Sequence, residues 1–399
     1  MRAAIIGMII GIVVGIALGA TVVAPRLSRG PDIQKTARPP GGKKAGGVLS
    51  KSASSETRTK YSDLPLKRSL KRSLGIARVR WRMADGLVSS IAGGGESVKA
   101  VESGVRRLTG GAFEIKPYEP DAQTPAGEML PETASGAIEA AFMAPEQWAA
   151  GRPALQLFAG YPFGPGRQEF IAWARSDGGR LLNGILGRLG VRGLFCGAGD
   201  FEAAGWFRKP LARPEDIRGL AIRSQGLAGV VLKSLGARIE KLQRGDIFMA
   251  LEQGAVDAVQ FSTPEVDARM GFGAMAPNYY LPGWQRPADL YILIVNQAKW
   301  KALPTWGKAA LEEVCAANLS RMPADAQARR LSALKKIAAR GVAVRRLPPA
   351  VLGALKKAWE KVAAREAAAD PDFKRVWRSL QAFRKDYALL RELDGIPGN

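Results

Sequence analysis

The sequence predicts an α/β protein built as two similar lobes, and three observations carry that reading. Two separate stretches alternate short strands with short helices, the pattern of parallel sheets flanked by helices. The 399 residues are enough for two compact domains and little more. Two long helices follow Pro348, beyond the second alternating stretch.

The first stretch starts near Arg78. Val79–Ala84 reads as a strand, and the turn Gly93-Gly94-Gly95 leads into a helix from about Glu96 to Leu108. That helix places Val98, Val101, Val105 and Leu108 on one face. Ala112–Pro117 alternates as a second strand, a helix runs up to Thr133, and the small residues of Ala137–Met143 form a third strand. In the second stretch, Leu220–Arg223 is a strand, Gly226–Leu235 a helix and Arg238–Leu242 a strand. Asp246 is placed to cap a helix over Ile247–Gln253 that stops at Gly254, and Val256–Phe261 is the next strand. Beyond Pro348, the second helix carries Phe373, Val376, Trp377, Leu380, Phe383, Tyr387 and Leu390 at spacings of three and four. Such a stripe packs against the body or against a second subunit.

Composition narrows the function classes. With 47% hydrophobic and 24% charged residues the chain is globular. Its net charge of +23 suggests a nucleic acid or an anionic membrane as partner, but the charge is uneven. Residues 1–75 hold 14 Lys and Arg against 3 Asp and Glu, whereas the other 324 hold 45 against 33. The basic density therefore lies in the N-terminal tail, and the body shows no nucleic-acid motif, so nucleic acid is not the expected partner. Histidine is absent, which removes the usual general base, the Ser-His-Asp and Cys-His arrangements and the commonest transition-metal ligand. No reaction can be assigned, and the chain is not expected to be an enzyme. The two cysteines, Cys196 and Cys315, permit one disulfide without implying it, and they exclude a structural zinc site. Any bound metal should be a hard cation held by oxygens.

The tail has two parts. Residues 1–25 are uncharged from Ala3 to Pro25 and read either as a cleaved export signal ending near Ala20 or as an uncleaved membrane anchor. The basic residues that follow the run would, by the positive-inside rule alone, stay in the cytoplasm. Residues 26–75, rich in Gly, Pro, Ser, Lys and Arg and closing on a tandem KRSL, are expected to be a disordered linker or an attachment to anionic lipid heads.

The residues that suggest chemistry begin with GLAIRSQG, Gly219–Gly226, where a short buried strand ends in Arg223. A guanidinium keeps its charge, and burying it without a partner is costly. Ligands of open parallel sheets bind outside the carboxyl ends of the strands. Arg223 ends one strand and Gln260-Phe261 another, so both should face one rim, with Arg223 placed for a carboxylate. A salt bridge within the lobe is the alternative. The segment FCGAGDFEAAGW, Phe195–Trp206, departs from a dinucleotide loop because Glu202 stands where the third glycine belongs. Aromatic residues gather at Trp148, Tyr161 and Phe163, and at Tyr279, Tyr280 and Trp284. Most of them are expected in the core or the wall of a cleft.

From about Val79 to Leu390 the chain resembles the extracytoplasmic solute receptors of tripartite ATP-independent periplasmic (TRAP) transporters, the DctP-like family. The sodium-dependent 2-oxoacid-binding branch is the nearest match. The segments that carry the resemblance are PALQLFAGYPFG (153–164), GWFRKPLARPEDIRGLAIR (205–223), GDIFMALEQGAVDAVQF (245–261), NYYLPGW (278–284) and AADPDFKRVWRSLQAFRKDY (368–387).

The resemblance implies a two-lobed, periplasmic-binding-protein-like fold, each lobe a mostly parallel sheet flanked by helices, with long C-terminal helices across the back. It implies lobe 1 over 76–199 and 287–326, lobe 2 over 200–286 and 327–350, and C-terminal helices over 351–399. The hallmark arginine of the family corresponds to Arg223. The cation ligands correspond to Glu202, Gln260 and the carbonyl of Phe261, with the acid and the amide exchanged between positions and phenylalanine in place of tryptophan. Trp148, Trp284 and Gln285 complete the expected substrate set; Gln285 stands where the family has histidine, and Pro145-Glu146-Gln147 where it has tyrosines. One arginine, one glutamate, a monovalent cation and a ligand carboxylate cancel in charge. A divalent ion leaves an excess, so sodium is expected rather than calcium.

The implied function is binding a 2-oxoacid or related monocarboxylate between two lobes and delivering it to a TRAP permease in the membrane. A membrane-tethered sensor or scaffold that binds the acid without transport is the alternative. The expected location is the periplasm, with the N-terminal segment as a possible tether to the inner membrane and the C-terminal helix as a possible homodimer contact.

Overall fold

The computed structural model describes residues 78–86, 94–118, 124–145, 151–199 and 201–394. The apolar N-terminal run, the basic linker and Trp148 lie outside the described residues. By packing, Met1–Ser73 and Leu74–Asn399 are separate units, and all described residues belong to the second. No described helix is long and apolar enough to cross a membrane.

Eleven strands are formed among the described residues. They are β1 (Val79–Asp85), β2 (Phe113–Tyr118), β3 (Ala140–Met143), β4 (Val191–Gly199), β5 (Gly205–Phe207) and β6 (Ala221–Arg223). The series continues with β7 (Arg238–Glu240), β8 (Ala258–Val259), β9 (Asn278–Leu281), β10 (Asp289–Asn296) and β11 (Ala343–Arg346). They make two sheets, in the orders β2-β1-β3-β10-β4 and β11-β9-β5-β8-β6-β7. Strands joined through helices pair in parallel, as in β1 with β2 and β3, and β6 with β7 and β8. However, β10 runs antiparallel to β3 and β4, and β5 antiparallel to β8 and β9. Both are entered where the chain passes from one sheet to the other, with no helical crossover to impose parallel pairing. The sheets are therefore mixed.

Alternation explains the first sheet locally. In β1, Trp81 and Met83 are buried while Arg80 and Arg82 point out. Helix α1 (Gly94–Leu108) lays Val98, Val101 and Val105 on that inner face, beside the edge-to-face pair Trp81–Phe113. Leu108, read as part of the same stripe, is exposed instead. Strand β3 is shorter than the run of small residues suggests, starting at Ala140 rather than Ala137. Helix α2 (Met129–Ser135) ends on Gly136 in the left-handed region, and the Arg82 guanidinium bonds the Ala137 carbonyl and the Glu139 carboxylate. Glu139 still bonds β10, its carbonyl accepting the Asn296 N–H at 3.0 Å.

In the second sheet Ala258–Val259 form β8 and the flanking backbone stays bonded, with the Asp257 N–H donating to the Ala221 carbonyl at 2.7 Å and the Asp257 carboxylate accepting the Ala221 N–H at 3.0 Å. Helix α3 (Gly226–Ser234) follows β6, and helix α4 (Ile247–Glu252) follows a turn over Arg244–Asp246. Asp246, expected to cap α4, makes no capping bond; its backbone already continues the preceding turn. The pair left open by sequence is bonded. Cys196 of β4 is joined to Cys315 of α5 (Thr305–Ala339), a link that lasts in oxidising compartments.

Two further helices, α6 (Pro349–Ala369) and α7 (Pro371–Asp394), close the chain. Phe373, Val376 and Leu380 are buried against the body, and Trp377 meets Tyr161 and Trp359 edge-to-face at 5.4 and 5.5 Å. The stripe thus packs on the body over its first half, while Leu389, Leu390 and Leu393 are exposed.

Candidate functional site

The carboxyl ends of β6 and β8 meet as neighbours. Arg223 is in register with Val259, and its carbonyl accepts the Gln260 N–H at 2.9 Å. The Arg223 guanidinium turns back through Nη1 to donate to the Gln260 carbonyl at 2.6 Å. Its Nε is buried and has no hydrogen-bond partner among the described residues. Burial lowers the Arg223 pKa; Glu202 opposes that shift, and Arg244 and Arg286 add to it. The fork is therefore anchored by one neutral carbonyl, and its charge has no bonded carboxylate among the described residues. The salt-bridge alternative for Arg223 finds no such partner.

Glu202 lies between β4 and β5 and is fixed by the turn after β9. A Cβ on Gly283 would fall 1.9 Å from the Glu202 carbonyl oxygen, so only glycine allows that approach. The contact brings in the side chains of Gln285 and Arg286. Arg286 Nη1 lies 3.3 Å from the Glu202 carboxylate and 3.3 Å from that of Asp289. Gln285 donates to Glu202 at 3.4 Å and to the Ala203 carbonyl at 2.5 Å. Gly160, with φ of 154°, leaves room for the stem of Arg286, because a Cβ there would sit 2.5 Å from its Cγ.

Gln260 is buried, and its Oε1 accepts the Ser224 hydroxyl at 2.5 Å. The Phe261 ring sits under two guanidiniums, Arg223 at 5.9 Å and Arg244 at 5.2 Å. Trp284 is buried with its ring 5.8 Å from that of Phe163, and its carbonyl accepts the Phe163 N–H. The Trp284 ring contact with Phe163 is one of packing.

Of the residues singled out by sequence, Arg223, Gln260 and Phe261 are thus in direct contact, and Glu202 with Gln285 forms an adjacent pair that acts on Arg223 electrostatically. Arg244, Arg286, Ser224 and Asp267 were not singled out. Ser224 and Arg286 directly follow Arg223 and Gln285 in the chain, a signal that adjacency alone offered. Asp267, at the end of the short helix Pro264–Asp267, is fully buried and accepts the Tyr279 hydroxyl at 2.9 Å. Burial pushes its carboxyl up to about 7, and Glu202 nearby adds to the rise.

The oxygens present suit a hard cation. Glu202 offers a carboxylate, Gln260 an amide oxygen and Phe261 a carbonyl, and the buried Gln285 Oε1 beside Glu202 has no donor among the described residues. Among the described residues no three His, Cys, Asp or Glu gather, so a site rich in carboxylates is not formed. A separate cavity of about 500 Å³, lined by Arg152, Arg188, Glu366 and Asp372 among others, shares no residue with this cluster.

The sequence profile of the DctP family, bacterial extracellular solute-binding protein family 7, matches residues 92–370. The chain belongs to the DctP family. It is 29% identical over 313 residues to a monocarboxylate 2-oxoacid-binding periplasmic protein of Nostoc sp., covering 78% of this chain and 85% of that one. A TRAP transporter solute-binding protein of Bordetella bronchiseptica, a dimer with calcium and picolinate in an occupied site, superposes with a TM-score of 0.76 at 30% identity over 80% of this chain and 95% of that one. A second, from Pseudoalteromonas atlantica with bound sodium and pyruvate, gives 0.74 at 26% identity over 79% and 97%. The receptor class and two-lobed fold implied by sequence resemblance both stand. This DctP receptor is a solute-binding protein, and its relatives serve transporters rather than catalyse reactions.

Proposed function

We propose that this periplasmic receptor binds a 2-oxoacid or related small carboxylate beside a sodium ion and delivers it to a TRAP permease. The observation that carries the reading is Arg223: a desolvated guanidinium at a strand end, with one nitrogen buried and unbonded and no bonded carboxylate of its own. A ligand carboxylate supplies the missing acceptor and charge. Glu202, Gln260 and the Phe261 carbonyl would hold the cation, which supplies positive charge toward the carboxylate and keto oxygens of the ligand. Trp284 and Gln285 support the wall of this site, and Trp148 is assigned to it by resemblance. Lobe 1 over 76–199 and 287–326, and lobe 2 over 200–286 and 327–350, would close over the ligand. The exposed Leu389, Leu390 and Leu393 favour a homodimer through the C-terminal helix, which sedimentation of the protein tests directly.

Titration calorimetry with pyruvate tests the site. Binding should weaken by about tenfold or more when choline replaces sodium. Glu202→Gln should abolish most of that dependence, and adding Gln260→Glu should restore it, because the carboxylate returns to the same oxygen set. Additive losses in the double variant would show that the two side chains do not share a cation.

A further inference from the structure

Two guanidiniums flank one ring at this site, and only one is needed for a single carboxylate. Arg286 already has Glu202 and Asp289 as partners. Arg223 and Arg244 have none among the described residues, yet they stand 5.9 and 5.2 Å from the centroid of the Phe261 ring. Their centres are therefore no more than about 11 Å apart. Arg244 is exposed as a residue, yet the protein around its guanidinium lowers its pKa by desolvation. Its backbone belongs to the turn Arg244–Asp246 that leads into α4, and its guanidinium rests on the Phe261 ring.

The charge count points the same way. The groups that act on Arg223 are Glu202, Arg244, Arg286 and Asp267. Asp267 carries only part of a charge near neutral pH, and Glu202 is engaged by Arg286. A monocarboxylate leaves one of the two free guanidiniums unneutralised beside an apolar ring, and a bound sodium adds to the excess. We infer that Arg244 is a specificity residue that holds a second carboxylate, so the favoured ligand is a 2-oxo dicarboxylic acid rather than a 2-oxo monocarboxylic acid. At roughly 1.5 Å per bond, a backbone of about four to six carbons reaches from one guanidinium to the other. This inference rests on the acid-receptor reading proposed above.

Calorimetry on the full-length protein with 2-oxoglutarate and pyruvate as probes tests it. The dicarboxylate should bind about tenfold tighter or better. Arg244→Gln should bring the two affinities within about threefold of each other, and Arg244→Lys, which keeps the charge, should retain most of the preference. Equal affinities in the unaltered protein, or a preference that survives Arg244→Gln, would overturn the role of Arg244 while leaving the acid-receptor reading standing. If neither acid binds, both the receptor reading and this inference fall.

Discussion

Arg223→Lys is expected to weaken carboxylate binding by about tenfold or more, roughly 1.5–3 kcal/mol for a lost charge-assisted bond. Lysine keeps the charge but not the planar fork. In the native protein one arm of that fork is committed to the Gln260 carbonyl at 2.6 Å, and no carboxylate among the described residues bonds the rest. A lysine ammonium that satisfies the carbonyl cannot also present two parallel N–H groups to a carboxylate. The fold should survive, because Arg223 is the last residue of β6 and the ladder bonds there are made by backbone. Calorimetry with pyruvate or 2-oxoglutarate reads the loss, and circular dichroism checks the fold. Unchanged affinity in a folded variant would remove Arg223 from the ligand site.

The placement of Arg223 was legible because its signal is local. A buried apolar triplet ending in an arginine needs an explanation wherever it occurs, and the helix signal that follows GLAIR placed it at a strand end. The α-helices after Pro348 were equally readable, since Phe373, Val376 and Leu380 repeat at helical spacing and are buried at those same positions. What was not legible depends on contacts distant in sequence. Glu202 meets Arg286 across 84 positions only because Gly283 lets the turn after β9 press against it. The reversed directions of β5 and β10 follow from the path between sheets, which no local pattern encodes. Strand ends failed for a related reason. The Arg82 guanidinium bonds the Ala137 carbonyl 55 positions away, a contact that the small residues of 137–143 do not announce. Arg244 escaped notice because it looks like an ordinary basic residue in a polar turn until the Phe261 ring is seen beneath it.

Asp267 was hidden in the same way, and it yields the second large effect, on stability against pH. Burial raises its carboxyl to about 7, with the nearby Glu202 adding to the rise and the Tyr279 hydroxyl at 2.9 Å opposing it. In the unfolded chain the same group should titrate near 3.9. Between those values the native state holds a proton that the unfolded state has released. Stability must therefore fall as pH rises from about 4 to 7, and level off above that window. The slope approaches about 1.4 kcal/mol per pH unit, so the full change is on the order of 4 kcal/mol. Asp267→Asn keeps the volume and an acceptor for Tyr279 but cannot ionise. Denaturant melts at pH 5 and pH 8 should show a much smaller decline for the variant than for the native protein, with the variant the more stable of the two at pH 8. Other groups titrate over the same range, and subtracting the two curves isolates this one. Parallel curves would mean that the buried carboxyl ionises without cost, against the burial and the neighbouring Glu202 that hold it up.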